Sequence, residues 1–239
     1  MVGSEKEVAF RKRRRDYSVK GRRNPIRDST IVTVKRDAPF IRPESLVAKK
    51  RQITADKKKV EINSKRKASV NFPLPEENDK FALVLRVVPK KDYICPESHT
   101  ILTELRLNEQ FDGCFVLLTP EMKQKLQKIS HLVIYGIPTL ELIRQLIHTK
   151  AFITKDGVEV ALTSNKAVSD ALSDKGVECL DDIVHSLSNV EPSFEDVSKF
   201  LSPFHFNKMG VEKPRMLASA GGISGWNRDG ISEYIQKIL

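Results

Sequence analysis

The sequence predicts a small α/β domain with additional helices, preceded by a basic extended or helical N-terminal arm. Three observations carry that prediction. Charge is partitioned: the first 75 residues hold 22 of the 41 Lys and Arg but only 8 of the 31 Asp and Glu, a net of +14, whereas the remaining 164 come to −4. Apolar density rises abruptly at Phe81. Beyond it, short apolar runs alternate with stretches of helical period, the pattern of strands and helices packed in layers. The boundaries that follow are a basic extension over 1–79, a compact core over 80–139 and a helical extension of the same domain over 140–239.

In the arm, residues 10–25, "FRKRRRDYSVKGRRNP", set cations around Tyr17, and Gly21 and Pro25 break any long helix there. The β-branched run "IVTV" at 31–34 reads as a short strand. Residues 42–67 read as a helix, with Pro43 in the first turn and Glu44 complementing the N-terminal dipole. Leu46, Ile53 and Val60 recur every seven residues and give it a thin apolar seam. So narrow a seam predicts a helix that orders only against a partner surface. Basic charge spread over some sixty residues predicts phosphate contact, because each neutralised phosphate releases a counterion. The candidates in the arm are Arg11, Lys12, Arg13, Arg14, Arg15, Arg22, Arg23, Lys49, Lys50, Arg51, Lys57, Lys58, Lys59, Lys65, Arg66 and Lys67.

In the body, "FALVLRVV" is a buried strand ended by Pro89. Ile101, Leu102 and Leu105 follow at helical spacing, and "CFVLLT" at 114–119 is a second strand. A helix then starts at Thr119 as N-cap with Pro120 after it and Met122, Leu126 and Ile129 on one face. "HLVIYG" at 131–136 is the third strand, so the order is β-α-β-α-β. Four helical segments follow, lined by Leu140, Ile143 and Ile147; by Val168, Ala171 and Leu172; by Leu180, Ile183, Val184 and Leu187; and by Phe194, Val197, Phe200 and Leu201. A hairpin turns at Asp156-Gly157, and a Gly-rich loop precedes a C-terminal helix.

Several function classes lack support. No apolar run approaches the roughly 20 residues that span a bilayer, and no apolar segment follows the basic N-terminus as a secretory signal requires. Cys95, Cys114 and Cys179 form no CxxC pair, and the five histidines never fall at HxH or HxxxH spacing. Asp181 and Asp182 sit where a helix N-terminus favours acids. The expectation is therefore no catalytic centre, metal, cofactor, small-molecule substrate or membrane. The loop 221–225 lacks the GK[ST] of a P-loop. It is either a plain turn or a backbone that approaches phosphate, with Gly221, Gly222, Asn227 and Arg228 as contacts. Trp226 either stacks on a base or anchors packing.

The body resembles a known family. "FALVLRV", "LTELRLNEQFDGCFVLLTPEMKQKLQKISHLVIYGIPTLELIRQLI", "VALTSNKAVSDALSDKGVECLDDIVHSL", "FLSPFHFNK" and "GGISGWNRDGISEYI" are similar, in order and spacing, to the eukaryotic large-subunit ribosomal protein L-seven family, whose centre corresponds to bacterial L-thirty. The resemblance implies a ferredoxin-like α/β core, binding to large-subunit rRNA beside neighbouring ribosomal proteins, and no catalysis. It implies residence in cytoplasmic ribosomes after nuclear and nucleolar passage. The core then reads as a rigid docking face for RNA, with Arg86 and Arg106 as its contacts. Gly136-Ile137-Pro138-Thr139 stands where the family usually has Tyr and Asn, and Trp226 is inserted in its GGxxGNR loop. "FIRPESLVAKKRQ" is also similar to L-seven-like paralogues that act in large-subunit assembly, so a nucleolar factor on pre-rRNA is the alternative.

Overall fold

The structure, a computed structural model, describes residues 41–69, 72–76, 78–89, 93–155, 158–206, 216–228 and 230–239. Two units divide the chain, Met1–Ile53 and Thr54–Leu239. In the first, the described residues open helix α1 (Pro43–Lys65), whose start is closed by Ser45, its amide and hydroxyl both donating to the Arg42 carbonyl. The predicted strand at 31–34 and the hairpin turn at Asp156-Gly157 fall outside the described residues.

The second unit is built on a five-stranded sheet ordered β6-β2-β1-β3-β7. Its centre is β1 (Phe81–Arg86), flanked antiparallel by β2 (Asp112–Leu117) and β3 (Val133–Gly136). Because both neighbours oppose β1, they run parallel to each other, and α3 (Pro120–Ile129) supplies the crossover between them. Helix α2 (Pro96–Glu104) connects β1 to β2. The fold is α/β, in the β-α-β-α-β order that the apolar runs predict.

Side-chain alternation along the strands feeds two cores. Ala82, Val84, Cys114, Val116, Val133 and Tyr135 face α2 and α3 through Ile101, Leu102, Leu105, Leu126 and Ile129. Leu83, Leu85, Phe115 and Ile134 face the later helices. Sheets covered on both sides need apolar residues at every position, which is why β1 reads as an unbroken run. The later helices are α4 (Leu140–Lys150), α5 (Asn165–Leu172), α6 (Leu180–Asn189), α7 (Phe194–Phe200) and α8 (Gly230–Ile238), with the hairpin β4 (Phe152–Lys155) and β5 (Val158–Ala161) between α4 and α5. Short strands β6 (Phe204–His205) and β7 (Gly225–Trp226) close the sheet, β7 running parallel to β3.

Local chemistry sets the ends. Thr119 caps α3 by accepting the Met122 amide, and Gly176 adopts a left-handed φ of 75° after the turn that ends α5. Asp182 accepts the Glu178 and Cys179 amides, each at 2.9 Å, and these bonds hold its carboxyl below the usual range, the helix-start role expected of that acid pair. Several details differ from the sequence reading: β3 starts at Val133 rather than His131, and β2 ends at Leu117 rather than Thr119. Strand β2 starts at Asp112, two residues early, because Asp112 and Gly113 pair with β6. Leu140 is exposed, and Leu142 and Leu146 line α4 with Ile143 and Ile147. In α1 the seven-residue seam does not form: Leu46 is exposed, and the buried residues are Asp56, Val60 and Asn63.

Candidate nucleic-acid interface

From Thr54 onward α1 belongs to the body, attached through a face two-thirds polar. Asp56 is 1% exposed and uses both carboxylate oxygens. Oδ1 lies 2.6 Å from Nε2 of His131, while Oδ2 accepts the Cys95 amide at 2.7 Å and the Ser98 hydroxyl at 3.1 Å. Cys95 is the N-cap of α2, so the carboxylate sits where orphan amides and the helix dipole favour an anion. One turn beyond Val60, the Asn63 amide nitrogen donates to Ser130 Oγ at 3.1 Å and meets His131 Nδ1 at 3.2 Å. With the Asn63 amide nitrogen as donor, Nδ1 accepts from it while Nε2 donates to the carboxylate, so both ring nitrogens have a partner. Burial, the largest influence on Asp56, opposes ionisation, but hydrogen bonds from His131 and the Cys95 amide outweigh it and hold the carboxyl down at about 2.

Cys95 and Ser98 touch the carboxylate rather than the imidazole, so the cluster has no nucleophile–base relay, and burial pushes the Cys95 thiol up. Burial also pushes Cys114 up to about 12. Among the described residues no three His, Cys, Asp or Glu side chains are grouped to hold a metal ion, and no helix is long and apolar enough to cross a membrane.

With one face committed inward, the cations of the same segment are left outside. Lys57, Lys58, Lys59 and Lys65 are exposed, as are Arg66 and Lys67 just beyond the helix. At 3.6 residues per turn, Lys58 and Lys65 stand about 180–200° from Asp56, directly opposite the buried face. Lys65 pairs with Glu61 at 2.9 Å, and the Arg66 guanidinium lies 5.1 Å from the centroid of the Phe72 ring. Gln127 of α3 donates to the Asn63 and Arg66 carbonyls, both at 2.7 Å. These bonds hold α3 against the end of α1, and Lys128, the residue after Gln127, is half-buried. The sequence reading does not single out Lys128, because α3 reads there as a core helix.

Other predicted residues are dispersed. Arg11, Lys12, Arg13, Arg14, Arg15, Arg22 and Arg23 fall outside the described residues. Lys49, Lys50 and Arg51 are exposed on the first-unit part of α1. Arg86 is not a surface contact: it is 5% exposed and donates to the Val88, Leu107 and Asn108 carbonyls, closing the loop between α2 and β2. Arg106, at φ 58°, is likewise turned to structure, its guanidinium donating to the Ser198, Lys199 and Leu201 carbonyls at the C-terminus of α7. Both arginines serve carbonyls because the sequence leaves those loop and helix-end acceptors without amide partners.

The C-terminal loop is also shaped by its own packing. Gly221 takes φ 80°, and a Cβ on Gly222 would sit 2.1 Å from the Met216 carbonyl oxygen. Asn227 donates its amide to Tyr135 at 2.8 Å, extending β7 along β3. Gly136 admits this strand, since a Cβ there would lie 2.2 Å from the Asn227 carbonyl oxygen. Arg228 is exposed and pairs with Glu76 at 3.3 Å and Asp79 at 3.8 Å. Trp226 is a packing anchor, 7% exposed with its ring centroid 5.4 Å from that of Tyr135, which removes it as a base-stacking platform.

These features define an α/β body with a basic helix face fixed upon it. No family model matches the sequence. Individual relatives do. The chain is similar to Large ribosomal subunit protein uL30z of Arabidopsis thaliana, 30% identical over 200 residues that cover 82% of this chain and 79% of that protein. It is 28% identical over 231 residues to Large ribosomal subunit protein uL30 of Caenorhabditis elegans, covering 96% and 93%, and 26% identical over 201 residues to that of Yarrowia lipolytica, covering 82% and 79%. The chain belongs to the uL30 family of large ribosomal subunit proteins.

Proposed function

We propose that this protein is a structural constituent of the large ribosomal subunit, binding rRNA through the extension over 1–79 and the basic surface of the body, with no catalytic role. The observation that supports it most is the segregation of Lys57, Lys58, Lys59, Lys65, Arg66 and Lys67 outside the buried face of α1, in a chain of the uL30 family. An array of cations on a rigid helix contacts sugar–phosphate and RNA shape rather than base edges. The interface comprises those residues with Lys128, the arm cations and Arg228, the Gly221–Gly222 turn acting by holding the loop rather than by touching RNA. Arg86 and Arg106 leave it. The partners are large-subunit rRNA and neighbouring ribosomal proteins, and the location is the cytoplasmic ribosome after nucleolar assembly.

Sucrose-gradient fractionation of cell extract at moderately high salt tests residence. The protein is expected in large subunits, whole ribosomes and polysomes, stoichiometric with the subunit. Confinement to nuclear precursors would make it an assembly factor, and recovery at the top of the gradient would remove both roles.

A further inference from the structure

We propose that Asp56, His131 and Asn63 are positioning residues that fix the register of α1 on the body, and so the placement of its cations against RNA. The inference rests on the function proposed above, and it assigns a role to a buried polar cluster that the interface itself does not use.

Little apolar surface holds the segment Thr54–Lys65. Its only buried apolar side chain is Val60. One Val contributes roughly 1.5–3 kcal/mol and has no directional preference, so a helix held by it alone can turn or slide at little cost. Hydrogen bonds are directional. Asp56 reaches the start of α2 and the turn before β3 at once, through Cys95, Ser98 and His131. Asn63 reaches Ser130 and the other nitrogen of the same imidazole. Displacing the helix by one residue would leave the Cys95 amide and the His131 ring without these partners in a buried site, and the Ser98 hydroxyl with the Cys95 thiol alone. His131 is 3% exposed and joins the two helix residues through opposite edges of one ring. Buried polar groups are best attested as devices that select one register among several of similar stability. In this chain the selected register is the one that turns Lys58 and Lys65 outward.

The consequence separates positioning from charge. Asp56→Asn and Glu61→Gln each remove one negative charge from the same helix, so a purely electrostatic interface binds RNA more tightly in both. Glu61 is exposed, its carboxylate paired with Lys65 and its carbonyl accepting the Ser64 hydroxyl. Its replacement releases Lys65 and is expected to tighten binding by up to about twofold. Asp56→Asn is expected to weaken binding by about tenfold, because a helix that must be reordered on the RNA loses its preorganisation. Asp56→Glu, which keeps the charge but not the reach, should weaken binding similarly.

The test uses the full-length chain, with a large-subunit rRNA transcript and an unrelated RNA duplex as probes, and amide hydrogen exchange as a second readout. The expected result is weaker rRNA binding by Asp56→Asn with duplex binding unchanged or tighter, faster exchange confined to Thr54–Lys65, and the opposite affinity change in Glu61→Gln. Asp56→Asn matching Glu61→Gln in both affinity and exchange would overturn the proposal. If Asp56→Asn unfolds the body, Asn63→Ala repeats the test without a charge change, and wild-type affinity with wild-type exchange there overturns it equally. A wild-type chain that does not distinguish rRNA from duplex would remove the proposed function instead, and exchange at Thr54–Lys65 in the variants would then decide whether the buried Asp56, His131 and Asn63 cluster fixes the helix.

Discussion

Helix α8 and the second half of α1 bury residues at the same spacing, i, i+4 and i+7, but with opposite chemistry. In α8 the residues are Ile231, Ile235 and Ile238, each 3% exposed or less. In α1 they are Asp56 at 1%, Val60 at 4% and Asn63 at 4%. The apolar triad gives α8 free energy that scales with area and belongs to the main core beside α4 and α6. The mixed triad of α1 adds less net free energy, since the hydrogen bonds of Asp56 and Asn63 replace ones to water and only Val60 is apolar, but it is far more particular about geometry. One helix is held tightly and the other is held in place.

The largest effect should come from the apolar side of that comparison. Ile235→Ala is expected to cost about 2–5 kcal/mol in urea unfolding, through reduced transfer energy and a residual cavity. The destabilisation should appear at all core amides together, because α8 shares its core with the sheet. A change confined to α8 would mean that the two helices are attached in the same loose manner.

Acid should act on the other side. The Asp56 carboxyl is held at about 2 against an ordinary 3.8, so its contribution is complete above the unfolded value and is lost as pH falls toward 2. The shift corresponds to roughly 2 kcal/mol between pH 5 and the folded value. Amide exchange corrected for its intrinsic pH dependence should therefore show Thr54–Lys65 loosening before α8 on acidification, and in Asp56→Asn, where the segment is already loose, that acid-dependent step should be absent. Simultaneous loosening of both helices would contradict the comparison.

The contrast also explains what the sequence disclosed. Strands β1 and β3 and the start of α3 were legible because apolar runs and the Thr119-Pro120 cap express local rules. The rest depends on partners distant in the chain. Asp56 lies 75 residues from His131, and neither has a local pattern to mark it as buried. A search for apolar period passes over Asp56 and Asn63 and selects Leu46, which is exposed. It also predicts that the helix needs an external partner, whereas its second half uses the chain's own body. Arg86 and Arg106 misled for the converse reason: a cation in a basic protein reads as a phosphate contact until the carbonyls it closes upon are located. The sequence alone leaves Trp226 between stacking and packing, and Tyr135 decides it through the parallel pairing of β3 with β7.

An RNA-facing α1 is best tested by the salt dependence of rRNA binding in the chain carrying Lys57→Glu, Lys58→Glu and Lys59→Glu together. If these lysines neutralise phosphates, affinity falls and the slope of log K against log salt flattens by roughly 0.7–0.9 for each phosphate no longer neutralised, up to about 2–3 in total. An unchanged slope, with the body still folded, would mean that this face of α1 does not meet RNA.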